Sequence, residues 1–320
     1  MSWLHLIAIG AAGIASMKAA LEAGDLDRAG LQGVLAGPAV VEQALTSRDR
    51  ATRMAGIAAA PATDDRIELL EPLASAAAGP DRRTAIPAAR AGVSIARELA
   101  REVAEGDLPD DVAAEDVLRW RDAWGEIARD RSRWIEVRVL ALDVTAALDA
   151  SVHASAMGSV ARGSPATGAT APGSNAPGSN VAGAAGSKTT ASGRMSTGGI
   201  GIDLAAALTD PDPAFRRAAV SVAPLPLPAA LRAPLASTVL NDTDPLVALG
   251  AAQALCADLA GDPPAPILAA LGAPGLTRLR AIIATDDVSR GVLRDAARCL
   301  AADPDPASAA ALRAIRGRVR

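Results

Sequence analysis

A short phrase recurs along this 320-residue chain: a turn containing Asp or Pro, a step of apolar residue and arginine, then paired alanines. It reads Asp212-Pro213-Ala214-Phe215-Arg216-Arg217-Ala218-Ala219 in one place. In another it reads Asp244-Pro245-Leu246-Val247 and ends in Ala251-Ala252. Weaker copies lie at 49–57, 81–89, 134–142 and 289–297. A unit recurring at this spacing predicts serial helical pairs, each burying its apolar face only against its neighbours. The residue types suit that reading, since Asp caps a helix, Pro fits its first turn and small alanines let the next helix approach.

Composition points the same way. Hydrophobic residues make up 50% of the chain but aromatics only 2%, with no Tyr and one Phe. A core of Ala, Leu, Val and Ile favours helices, whereas sheets draw on aromatic and β-branched residues. The expected fold is therefore all-α. The net charge of −4 gives no global attraction to nucleic acid or to an anionic membrane.

The phrase Asp-Pro-x-apolar-Arg followed by Ala-Ala, as at 212–219, resembles the first helix of a HEAT repeat. The copy at 244–252 keeps the Asp-Pro and the alanines but has Ala248 where that family shows Arg. Val137-Arg138 with Ala141, and Arg53 after Thr52, carry the apolar-Arg step without the Pro; at the last copy Ser289 replaces the Asp. The resemblance covers most of 45–150 and 201–320. It implies an α-α superhelix of HEAT-like or armadillo type, and a non-enzymatic scaffold that binds proteins through its curved surface.

Four regions follow. Residues 1–24 form an apolar amino-terminal segment, 25–152 a first set of repeats, 153–200 a linker or insertion, and 201–320 a second set. Residues 3–15 are uncharged, which fits either a signal segment or anchor, or the first helix of the stack; export and a cytoplasmic site both stay open. Beyond it no run is expected to cross a membrane. The 153–200 stretch contains no Asp or Glu and is rich in Gly, Ser, Ala, Thr, Pro and Asn. Such a composition cannot bury enough apolar area to offset ordering, so a disordered insertion is expected, within one stack or between two.

Chemistry-bearing motifs are few. His5 and His153 are the only histidines, so no His cluster or Ser-His-Asp set can be assembled. Asp210-Pro211-Asp212-Pro213 and Asp303-Pro304-Asp305-Pro306 lack the further oxygens of a calcium loop and read as capping turns. The pairs Asp64-Asp65, Asp110-Asp111 and Asp286-Asp287 fall at expected helix starts. Residues 183–189, ending in Ser187-Lys188-Thr189, miss the Gly before Lys that a phosphate loop needs. No cofactor or metal is expected. Cys256 and Cys299 are expected as two buried thiols, with a disulfide as the alternative: aligning Ala251-Ala252 with Ala296-Ala297 leaves them two residues out of phase, close to opposite helix faces, and helix axes stand about 8–10 Å apart.

The residues singled out for partner binding are Trp120, Trp124 and Trp134 with Arg119 and Arg121. In so aromatic-poor a chain these tryptophans are either helix-packing spacers or a hot spot for a protein partner. The alternative is a HEAT-type enzyme or accessory module, lyase-like or DNA-glycosylase-like, with a groove at Trp120 and Trp124. Acidic neighbours such as Asp116, Asp122 and Glu126 break up the arginines, so nucleic acid is not the expected partner.

Overall fold

The computed structural model describes residues 3–106, 112–162, 203–259, 264–285 and 288–319; the expected linker lies, from 163 on, outside them. The described residues hold helices and no strand. In chain order these are α1 (Trp3–Glu22), α2 (Leu26–Ala36), α3 (Pro38–Leu45) and α4 (Arg50–Ala59). Two 3-10 turns, Ala60–Ala62 and Arg66–Leu69, lead to α5 (Leu70–Ala77), α6 (Arg82–Glu105), α7 (Ala114–Arg129) and α8 (Ile135–Arg162). Then come α9 (Leu204–Ala207), α10 (Pro213–Ser221), α11 (Ala229–Asn241), α12 (Pro245–Asp258), α13 (Ala265–Ile283), α14 (Arg290–Ala302) and α15 (Pro306–Val319).

The helices stack in two layers. In one, α4, α6, α8, α10, α12 and α14 each pack against the next; α5 and α7, then α11 and α13, pack likewise in the other. Every one of the six recurring phrases opens a helix of the first layer, so the chain is a helical-repeat protein of the HEAT-like kind. The layer runs unbroken from α8 to α10. Residues 163–202 thus enter between two helices of a stack whose halves touch.

Capping explains where these helices begin. Asp49 accepts from Thr52 N at 2.9 Å, Asp212 from Ala214 N at 2.8 Å and Asp244 from Leu246 N at 2.8 Å; Ser289 caps α14 through Val292 N. The two Asp-Pro-Asp-Pro runs are turns of this sort. Asp210 accepts from the Asp212 amide at 3.0 Å, and Asp303 from that of Asp305 at 3.2 Å. α6 begins at Arg82 behind the Asp81 cap and runs through Pro87.

The first Asp of each such turn also receives an arginine from the preceding unit. Arg138 donates to Asp210 at 2.7 Å, Arg216 chelates Asp242 at 2.8 and 2.9 Å, and Arg280 approaches Asp303 at 3.5 Å. Weaker rungs precede them: Lys18 to Asp49, Arg50 to Asp81 and Arg82 to Glu136. Arg138 and Asp210 are both buried. The guanidinium lies 4.1 Å from the Phe215 ring centroid and donates through Nε to the Ala128 carbonyl at 3.0 Å. This pair joins the two halves of the stack.

Close approach accompanies the small residues. A Cβ on Gly33 would lie 2.6 Å from that of Ala59, so α2 and α4 touch backbone to backbone. α1 extends past the apolar run and packs on α2 and α4, burying Met17 and Ala20.

Two expectations are corrected. Cys256 and Cys299 are not thiols but a disulfide, with both residues fully buried and Cα atoms 5.3 Å apart. Parallel neighbours in a stack meet through opposite flanks, so residues out of phase face each other. Cα atoms also lie about 2.3 Å off the helix axis, so axes about 10 Å apart bring facing Cα atoms to roughly 5.4 Å. Secondly, α13 is long and apolar enough to cross a membrane by length and composition. Gly272, at φ 58 and ψ 179, breaks it into two segments, and it packs against α11.

Two outcomes follow from the buried rungs. Arg138→Met leaves the buried Asp210 carboxylate only the Asp212 amide and the exposed Arg131 at 3.6 Å, and should cost up to about 3–5 kcal/mol in urea unfolding, whereas Arg50→Met, on an exposed pair, should cost under about 1 kcal/mol. Burial alone would raise the Asp210 and Asp242 carboxyls. Hydrogen bonds from Arg138 and the Asp212 amide, and from Arg216 and the Asp244 amide, outweigh it and hold both below the ordinary carboxylate range. Their contribution is complete above the unfolded carboxylate pKa of about 4 and disappears as pH falls through the lowered folded values. Thermal scans from pH 6 downward should show Tm falling below about pH 4, and the fall should be shallower in Asp242→Asn.

Candidate interaction groove

Where α3, the second 3-10 turn, the start of α5, the end of α6 and the start of α7 converge, they leave a groove of ≈ 790 Å³. Ile67, Val112 and the edge of Trp120 form its apolar part. Its walls carry eight carboxylates, among them Glu42, Asp64, Asp65, Glu68 and Glu71, against the guanidiniums of Arg66, Arg101 and Arg119.

Those three arginines are already engaged. Arg66 reaches Glu102 at 2.7 Å and Glu98 at 3.1 Å. Arg101 lies 3.5 Å from Glu98 and 3.6 Å from Glu105, while Arg119 pairs with Asp116 at 2.9 Å and Glu71 at 3.5 Å. Among the described residues, Glu42, Asp64, Asp65 and Glu68 have no cationic partner. The field in the groove is therefore negative. Acidic character extends beyond it, since residues 1–150 hold 24 Asp and Glu against 17 Lys and Arg.

The residues singled out from sequence separate. Trp124 is completely buried, donates its indole N–H to the Leu70 carbonyl at 3.2 Å and packs on Gly92; it presents no surface to a partner. It fills the space between α5, α6 and α7. Trp120, 4% exposed, stands one turn away at the groove. Trp134 is 46% exposed and carries Arg82 over its ring, 5.5 Å from the centroid. Arg119 lines the groove, while Arg121 turns to Asp122 at 2.8 Å and Asp149 at 3.4 Å. Arg119 and Trp120 are thus brought together; Trp124, Trp134 and Arg121 go elsewhere. Sequence reasoning missed the carboxylates from Glu42 to Glu71. Their one signal was the density of acids over 64–71, and their convergence with 101–120 is a product of the stacking.

Nucleic acid needs the opposite field. Arg131 and Arg133 are drawn to Asp210 at 3.6 Å and Asp130 at 2.7 Å, so the arginines of 119–133 form no unopposed basic stripe. Asp110, Asp111, Asp286 and Asp287 fall outside the described residues.

The sequence matches no model of a protein family. Nor does it match any curated protein. Among solved structures, an engineered protein aligns over 87% of this chain and 95% of its own, at 17% identity and a TM-score of 0.45. A designed armadillo repeat protein aligns over 79% of this chain and 100% of its own, at 13% identity and a TM-score of 0.36.

Packing at Trp124 makes a sharp prediction. A Cβ at residue 92 would sit 2.6 Å from Trp124 Cζ2, so Gly92→Ala should cost about 1–3 kcal/mol through overpacking. Trp134→Ala should cost less, because its ring is half in water and most of its apolar area stays hydrated in the folded chain. Chemical denaturation of the two variants side by side measures the difference.

Proposed function

We propose that the chain is a non-enzymatic scaffold that holds a cationic, extended segment of a protein partner in the groove beside Trp120. The observation that carries this reading is the groove itself. Four carboxylates that have no cationic partner among the described residues line the groove with an apolar strip of Ile67, Val112 and Trp120. A peptide bearing Arg or Lys supplies both complements: its charged heads meet Asp64, Asp65, Glu68 and Glu42, and its methylene stems cover the apolar strip. We take the segment to be extended, because the lining is spread over five structural pieces, from α3 to the start of α7. A rigid stack loses little freedom on binding, which favours recognition by a preformed surface.

The glycosylase-like alternative draws no support from the groove, whose carboxylates repel a phosphate backbone. Arg119 has a positioning part in the scaffold reading, because its pairs with Asp116 and Glu71 hold two walls together.

Fluorescence anisotropy with an Arg/Lys-rich peptide and its Glu-substituted counterpart tests the reading. The basic peptide should bind and weaken steeply as salt rises, while the acidic one should not bind. Asp65→Lys with Glu68→Lys, both on exposed positions, should lower affinity by roughly tenfold or more without changing Tm. Equal affinity for both peptides, or binding indifferent to the double substitution, would defeat the assignment.

A further inference from the structure

The step from α12 to α14 is built unlike the others. α12 contains no arginine or lysine; Ala248 occupies the place that Arg216 fills in its own repeat. Ser289 takes the capping position held elsewhere by Asp212 and Asp244. The arginine half of the charged rung is therefore missing at that point, and Asp287, the counterpart of Asp242, lies outside the described residues. What crosses it instead is Gln253 Nε2 donating to Asp295 at 3.1 Å, and the Cys256–Cys299 disulfide.

We propose that this disulfide replaces the missing rung, and that the chain folds in an oxidising compartment. Its position carries the argument. Both cysteines are wholly enclosed, at 0% exposure, between two helices of the same layer. α13 lies between them in sequence, so the bond closes a loop of 43 residues around it. Closing such a loop removes freedom from the unfolded chain, which is how a crosslink supports a unit with few other constraints. Compartments rich in reduced glutathione and thioredoxin keep thiols reduced; secreted and periplasmic-type environments do not.

The bond forms by two exchanges with a disulfide-donating oxidant, either an oxidised dithiol protein or a small-molecule disulfide. The thiolate of one cysteine attacks the donor disulfide and releases one donor sulfur as a thiol. The second cysteine's thiolate then attacks the mixed disulfide and releases the other. Two electrons and two protons pass from the cysteines to the donor, which leaves as two thiol groups. Because the sulfurs are enclosed once α14 is seated, both exchanges precede docking. Afterwards the same enclosure keeps reductants out. The bond is thus a permanent staple rather than a sensor, which needs an accessible thiol.

The test uses the full chain, produced once in a cytosol and once through an oxidising compartment. Each preparation is denatured in maleimide without reductant. Chain from the oxidising compartment should take up no maleimide, and two equivalents after reduction. Held folded in dithiothreitol, it should still take up none until denaturant is added. Cytosolic chain should take up two, and protease should cut it between α12 and α14 at least several-fold faster. A Cys256→Ala, Cys299→Ala variant from the oxidising compartment should share that sensitivity, which separates loss of the bond from poor folding in the cytosol. Two equivalents taken up by never-reduced chain from the oxidising compartment would overturn the proposal, as would reduced cysteines in chain trapped from its native cells or equal protease resistance in all three preparations.

Discussion

In the middle of the stack one repeat is registered on the next by a recurring interaction, an arginine of one unit buried against the first carboxylate of the next unit's turn. Arg138 with Asp210 and Arg216 with Asp242 are its fullest forms. Helix packing through Ala and Leu supplies most of the burial, but such surfaces are smooth and slide at small cost. A buried guanidinium is different. Displaced from its carboxylate by a fraction of a turn, it loses a charged hydrogen bond and leaves two ions unpaired in a low dielectric. The same aspartates accept from the backbone two residues on, at 3.0 Å for Asp210 and 2.8 Å for Asp242. Local turn geometry and register between units are therefore set by one side chain.

Much of this could be read from the residues because each part of the device leaves its own mark. Asp before Pro marks the cap, the apolar-Arg step marks the rung, and the alanines mark the close crossing. All six phrases do open helices of one layer. What could not be read is which arginine meets which aspartate, since 72 residues separate Arg138 from Asp210 and the contact exists only after stacking. The disulfide was misjudged for a related reason. Counting phase along two aligned helices treats them as copies seen from one side, whereas stacked copies touch through opposite flanks.

The groove was half legible. Trp120 and Arg119 stood out by rarity and by charge, and both line it. Trp124 stood out equally, yet its ring is spent on Gly92 and the Leu70 carbonyl. One helical turn separates a tryptophan at the edge of the groove from one wholly in the core, and the sequence offers no measure of that depth when apolar residues occur on every face. The carboxylates were hidden in the opposite sense. Glu42, Asp65 and Glu105 are each an ordinary helix-end acid until three units bring them to the same side.

The insertion between α8 and α9 follows from the same logic of attachment. A connection of 40 residues, 163–202, in place of about five adds only roughly 2 kcal/mol of loop-closure entropy. Parting α8 from α10 would expose the apolar surface they bury against each other, and at about 25 cal/mol per Å² some ~80 Å² of it already matches that term. Phe215 adds to the margin, since it lies under the Arg138 guanidinium and ties α10 to α8 through a second contact. The stack therefore closes over the insertion rather than splitting at it. A stack that holds across one long connection by apolar burial and an ion pair, and across the α12 to α14 step by a covalent bond, needs no uniform repeat. It needs only some fixed attachment between each unit and the next, and the chain supplies a different one wherever the standard residues are missing.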